Sequence, residues 1–253
     1  MPVLMSEVKT GVMKQSDYSH PFFAQPLLID AGLNLHAVLA LDALPQAQHG
    51  QLHQACDELH RYRQLVVIGH GGRDLWQAVS PRVAAGDLSN PIDEFTVDRL
   101  QHFFSSHAPE IDYQILYPGP SPVPLQRIGA LLGWHHDSPF KIGINQQWGS
   151  WFAYRALLLI DAALTPSKPL LHPSPCDGCV ARPCISSCPA DAMEEGDFNL
   201  QRCIAFRTTT ESRCRKRCVA RLACPVAEQH RYSDEQMRYH YARSLRVIEA
   251  SGK

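Results

Sequence analysis

The sequence predicts an α/β domain over residues 1–170, then a small cysteine-built unit at 171–228 and a closing helix at 229–253. Three observations point there. Leu65 to Ile68 is a short, largely β-branched run, and Ile111 to Tyr117 alternates apolar with polar residues, so both read as strands. Helical periodicities lie around them. Beyond a Pro-rich stretch, eight of the nine cysteines crowd between Cys176 and Cys224.

Residues 1–20 read as a loose lead-in, and 21–44 as an apolar mixture of strand and helix. Leu52, Cys56 and Leu59 recur at helical spacing, which predicts an amphipathic helix over 51–63. The strand at 65–68 runs into Gly69-His70-Gly71-Gly72. Those residues suit a tight turn, or a turn that offers backbone N–H groups to a phosphate at a helix N-terminus. A helix through Trp76 and Val79 follows, and the turn GDLSNP closes that unit. Phe95 to Phe104 reads as a helix, and PGPSPVP as a loop after the 111–117 strand. Leu125 to Leu132 predicts a helix stopped by Gly133 at C′. Ser150 to Leu164 is apolar throughout, and periodicity does not separate strand from helix there. The linker at 165–175 carries the domain boundary. Ser233 and Gln236 form an S-x-x-Q capping box, and Met237, Tyr241, Leu245 and Ile248 mark the buried face of the last helix.

With 253 residues, 45% of them apolar and 19% charged, the chain has the composition of a globular protein able to bury a core. A net charge of −1 provides no global basic field for nucleic acid. No apolar run reaches the ~20 residues that span a bilayer. MPVLMSEVKTGVMK has no apolar h-region, so a cytoplasmic chain without a secretory signal, with reduced thiols, is expected.

The clustered cysteines fall into two groups, each ending in Cys-Pro. The first is Cys176-x2-Cys179-x4-Cys184-x3-Cys188-Pro189; the second is Cys203, Cys214, Cys218 and Cys224-Pro225. Two sets of four thiols match the ligand need of two [4Fe–4S] clusters. Zinc competes, because C-x2-C is also a zinc knuckle. The repeated C-P favours iron–sulfur, and disulfides rank last. The spacings are wider than a ferredoxin's, so the insertions either bulge outward or mark one site as degenerate. In two-cluster ferredoxins the cysteine before proline serves the other cluster. Applied here, cluster one takes Cys176, Cys179, Cys184 and Cys224, and cluster two takes Cys188, Cys203, Cys214 and Cys218, in a ferredoxin-like module with a hairpin at Glu195-Gly196. Arg202, Arg207, Arg213, Arg215, Lys216, Arg217 and Arg221 surround the second group. They suit docking of an acidic electron donor of flavodoxin or ferredoxin type, or of an RNA backbone, or simple compensation of cluster charge.

Over residues 115–228 the order of features resembles the epoxyqueuosine reductase family and its relatives among cobalamin-dependent reductive dehalogenases. Arg127 through Leu131-Leu132-Gly133-Trp134 is similar to that family's R-x-x-A-x-x-G-L-G-W. Gly149-Ser150-Trp151-Phe152 and the double cysteine segment follow in the same order. The resemblance implies a nitroreductase-like α/β domain beside a ferredoxin-like double [4Fe–4S] module. It further implies that the clusters reduce a cofactor, cobalamin first and flavin second, held by Gly133, Trp134, Gly149, Ser150 and Trp151, which acts on a small or nucleoside-like substrate. The stretch aligned with the family's catalytic aspartate is Gly119-Pro120-Ser121-Pro122-Val123 and carries no acid. His135, His136 and Asp137 replace the family's continuation after Gly-Trp, which makes them the candidate proton donors, or else a polar loop. The lost acid keeps a non-catalytic electron carrier as the alternative.

Two further groups have two readings each. His53, Cys56 and His60 share a predicted helix face, as a metal site or as a core thiol beside exposed histidines. Trp148, Trp151, Phe152 and Tyr154 either wall a pocket or pack the core.

Overall fold

The computed structural model describes residues 14–86, 89–193 and 197–251. In chain order the regular elements are α1 (Pro26–Ile29), β1 (Leu35–Ala40), α2 (Gln46–Ala55), β2 (Gln64–Gly71), α3 (Asp74–Ala85), α4 (Pro91–His107), β3 (Tyr113–Tyr117), α5 (Leu125–Leu131) and β4 (Phe152–Ile160). After them come α6 (Pro183–Ser186), α7 (Leu200–Thr208), α8 (Val219–Ala223) and α9 (Asp234–Ser251). The lead-in before residue 14, part of GDLSNP and the Glu195-Gly196 hairpin lie outside the described residues.

The four strands form one antiparallel sheet in the order β1-β2-β4-β3. The mixed α/β expectation therefore holds, with a sheet that is antiparallel. Period-two alternation sends Leu65, Val67, Leu157 and Leu159 to one face, where Leu52 of α2 and Ile128 of α5 pack. Val66, Ile68, Leu158 and Ile160 face the other way, onto Leu28 of α1, Leu75 and Val79 of α3, and Phe95, Leu100, Phe103 and Phe104 of α4. Both faces of the central strands are covered, so both read as unbroken apolar runs. That settles 150–164 as a strand over Phe152–Ile160. Burial of each large side chain there contributes about 1.5–3 kcal/mol.

Two local expectations are corrected. The helix expected over 51–63 begins earlier and stops at Ala55, because Cys56 is extended at φ −149°. The Cys56 thiol instead donates to Gln114 Oε1 on β3 at 3.1 Å, and a separate 3-10 turn covers Leu59–Arg61. The Gly69-His70-Gly71 segment is neither a tight turn nor a phosphate-binding one but the buried end of β2. Gly71 N donates to Asn34 Oδ1 at 2.8 Å and Gly72 N to the Trp151 carbonyl at 2.8 Å, so neither N–H is free for an anion.

The Pro-rich stretch after β4 is tied down. Ser167 N donates to the Val38 carbonyl at 2.8 Å and Leu170 N to the Leu132 carbonyl at 3.0 Å. Helix α5 does stop as expected, with Gly133 left-handed at φ +72°. At the N-terminus of α9, Ser233 Oγ accepts from Gln236 N at 3.1 Å, while Gln236 Oε1 is buried with no partner among the described residues, so only half of the capping box forms there. Met237 and Leu245 are buried and Tyr241 and Ile248 half-buried on α9. This helix spans both halves of the molecule. Tyr239 packs into the α3–α4 core and Trp76 Nε1 donates to Glu235 Oε2 at 3.3 Å, while Arg207 of α7 donates to the Tyr241 carbonyl at 3.2 Å.

Candidate functional site

Short turns, rather than long elements, aim the cysteines. Ser174 Oγ accepts from Cys176 N at 3.2 Å and the Cys176 carbonyl accepts from Cys179 N at 3.3 Å. Pro183 opens α6, where its fixed φ suits the first turn, and Cys184 follows it. Cys203 sits within α7, which Asn199 caps by accepting from Arg202 N at 3.0 Å. Ser212 Oγ accepts from Cys214 N at 3.1 Å. Cys218 caps α8, its Sγ accepting from Arg221 N at 3.4 Å, and Cys224 ends the same helix.

In space these residues re-sort. Cys176, Cys179, Cys184 and Cys224 line one narrow cleft with Pro183 and Pro225. Cys188, Cys203, Cys214 and Cys218 line a second cavity of about 350 Å³. Burial pushes the Cys176, Cys184, Cys214, Cys218 and Cys224 thiols up, and the Cys203 thiol up to about 11. Further upward pressure on each comes from cysteines of its own set: Cys224 acts on Cys176 and Cys184, and Cys218 on Cys203. Buried thiols that oppose one another's ionisation become ligands only when a cation enters, because a coordinating thiol is deprotonated outright. The donor sets fit an iron–sulfur cube in type and number, with four thiols each and no carboxylate in either lining. Among the described residues, no group of three or more His, Cys, Asp or Glu stands arranged to hold a metal ion.

The basic run divides into tied and exposed side chains. Arg207 is tied to the carbonyls of Cys214 and Tyr241, and Arg215 pairs with Glu249 at 3.1 Å. Arg213 and Lys216 are exposed. Arg217 and Arg221 line the second cavity. Arg221 is only 7% exposed. Its guanidinium lies over the rings of Trp151 at 4.2 Å and Tyr232 at 4.9 Å, and it donates to Ser150 Oγ at 3.2 Å and to the Ser150 carbonyl.

The residues expected to hold a corrinoid or flavin are engaged within the chain. A side chain at Gly133 would meet the Leu170 carbonyl, and one at Gly149, left-handed at φ +56°, would meet the Val226 carbonyl. Trp134 is buried, and its carbonyl accepts from Asn145 Nδ2 at 3.1 Å. Ser150 and Trp151 are fully enclosed and seat Arg221. Of these five, only the Trp151 indole N–H is left without a hydrogen-bond partner among the described residues.

Of the candidate proton donors, His135 is half-buried against Tyr154, whose hydroxyl stands 3.5 Å from His135 Nδ1. Burial pulls the His135 imidazole below its ordinary range and holds the Tyr154 phenol well above its own. Asp137 is almost fully exposed, with Oδ1 3.8 Å from His135 Nε2. His136 pairs by backbone with Ile144. The three share one loop, but only His135 turns inward. His53 and His60 line an open cleft with His49, away from Cys56, whose thiol meets Gln114. Trp148, Trp151 and Phe152 are buried and Tyr154 is half-buried, and they divide between two packing clusters.

A scan against protein-family models and a search of curated proteins find no match. Solved structures do. Epoxyqueuosine reductase from Bacillus subtilis, captured with its catalytic loop swung out of the active site, is 14% identical with a TM-score of 0.50, covering 82% of this chain and 66% of that one. The enzyme from Streptococcus thermophilus is 13% identical with a TM-score of 0.48, covering 80% and 65%. A B12-trafficking protein of C. elegans is 15% identical with a TM-score of 0.42, covering 84% and 88%. The chain spans about two thirds, 65% and 66%, of the length of the two reductase structures. The Bacillus subtilis likeness shows a shared fold.

Proposed function

We propose that this chain is an iron–sulfur redox protein. Cys176, Cys179, Cys184 and Cys224 would hold one [4Fe–4S] cluster, and Cys188, Cys203, Cys214 and Cys218 the other, in a ferredoxin-like module over 171–228. The observation that carries this reading is the crossing of the chain. Cys224 lines the first cleft and Cys188 the second cavity, each away from the other cysteines of its own sequence group. That exchange is what a two-cluster ferredoxin arrangement would require, and chance packing of eight thiols gives no reason for it. Bound clusters supply one-electron transfer. The chain's own residues exclude water from the thiols and set the charge around them.

The electron acceptor would sit on the 1–170 domain, with cobalamin the first choice and flavin the second, acting on a small or nucleoside-like substrate. The shared fold with epoxyqueuosine reductase supports this part. The electron donor would be a flavodoxin- or ferredoxin-type protein docking near exposed Arg213 and Lys216. An RNA backbone is the competing ligand for the same basic surface. Protein purified without oxygen is expected to be brown, with about eight irons and eight sulfides per chain. Pale, folded protein with stoichiometric zinc overturns the proposal.

A second reading is a non-catalytic electron carrier, favoured by the acid-free segment 119–123. Titration with hydroxocobalamin and with FMN separates the two. Tight uptake of either supports an enzyme, and uptake of neither supports a carrier.

A further inference from the structure

Arg221 stands apart from the other cations of the cysteine segment. It is buried, and among the described residues no carboxylate pairs with it. Its neighbours are neutral: the Trp151 and Tyr232 rings, the Ser150 hydroxyl and carbonyl, and the Tyr241 side of the cavity. Arg155, a half-buried guanidinium, has Asp93 at 4.0 Å. A buried charge without a counter-charge is strongly destabilising, and aromatic faces offset only part of that cost. The cavity that Arg221 lines is the one holding Cys188, Cys203, Cys214 and Cys218.

We propose that Arg221 is the counter-ion of the second cluster and the residue that sets its potential above that of the first. This rests on the iron–sulfur reading. Reduction adds one electron, and so one negative charge, to a cube already carrying four thiolates. A fixed cation at the cavity wall favours the reduced form, because net charge and solvent exposure govern cluster potentials. The first cleft has Arg182 at its lining, but that residue is exposed and screened by water. The Arg221 seat is also the joint to the sheet. Tyr232, beneath the guanidinium, has its hydroxyl 3.0 Å from His70 Nε2 at the end of β2, while Arg155 Nε donates to His70 Nδ1 at 3.1 Å. The same stack therefore positions the second cluster against the strand that leads into the 1–170 domain.

The test is a dithionite titration of the iron-loaded protein followed by electron paramagnetic resonance, on wild type, R221Q and R221K. C203S identifies the second cluster's signal. In R221Q, with eight irons retained, the reduced-to-oxidised ratio of that cluster at the wild-type midpoint should fall about tenfold, equivalent to about 59 mV for one electron. The first cluster should not move, and R221K should stay near wild type. R221Q that fills only the first site, while R221K fills both, also supports the proposal. An unchanged potential in R221Q, an equal shift of both clusters, or failure of both variants to load the second site overturns it. Iron-free wild type would instead sink the parent reading.

Discussion

Strand β4 buries five consecutive side chains, Ala156 to Ile160, whereas α7, which carries Cys203, buries none of its own completely. The sheet is held by two apolar cores, one on each face. The cysteine segment has one small core in which Cys184 and Cys224 stand beside Phe140, Ile144, Met193 and Ala220. Its elements are short, and its inward positions are given to thiols. If those thiols hold clusters, as proposed, this region would need them in order to stay folded. A region that spends its interior on leucine and valine does not.

Removing iron with a chelator under reducing, oxygen-free conditions should break this contrast open most widely. Amide exchange in α7 and α8 is expected to accelerate by at least about a hundredfold, while β2 and β4 keep their protection. Equal protection with and without iron would refute the division. In the sheet, Leu158→Ala should destabilise by about 2–5 kcal/mol in urea unfolding, with eight irons still bound to the folded fraction. Acid should also act on the sheet. His36 is fully buried, its Nδ1 2.9 Å from Ser19 Oγ and its Nε2 bonded to the Leu33 carbonyl, and burial lowers it from 6.5 to about 4. The unfolded chain binds a proton between pH 6.5 and 4 that the folded chain refuses, so stability falls as pH drops through that window. The loss is roughly 3 kcal/mol at pH 4 relative to neutral pH. It should be visible in iron-free protein and smaller in His36→Asn. The mildest change sits where the two regions meet. Gly149→Ala puts a side chain on a left-handed residue facing Val226, and should cost on the order of 1–3 kcal/mol. Differential scanning calorimetry would register it as looser docking of the cysteine segment if the sheet transition stays in place.

What could be read from the sequence follows the same division. The 65–68 and 111–117 strands were legible because β-branching and alternation are local signals. The 152–160 strand was not, because two covered faces erase the period. The 51–63 helix was misplaced because Cys56 fits the apolar stripe, yet a long-range bond to Gln114 pulls it out of the helix. The Cys-Pro spacing suggested grouping Cys224 with the first three cysteines and Cys188 with the last three, and the linings of the cleft and the cavity carry the same grouping. The burial of Arg221 was hidden among six other basic residues. A signal did exist: Arg221 is flanked by Val219, Ala220, Leu222 and Ala223, whereas Arg213, Arg215, Lys216 and Arg217 sit in a polar run. The seat formed by Ser150 and Trp151 for that guanidinium is a tertiary fact with no local trace.

Helix α9 carries the chain back to where it left. Leu170 is bonded at α5, and Glu235 and Tyr239 are held at α3, so the whole stretch that bears the thiols is a loop with both feet planted on the sheet. Part of the entropy of gathering distant cysteines is therefore met by the scaffold itself. Whatever the thiols come to hold, the sheet beneath them would stand without it.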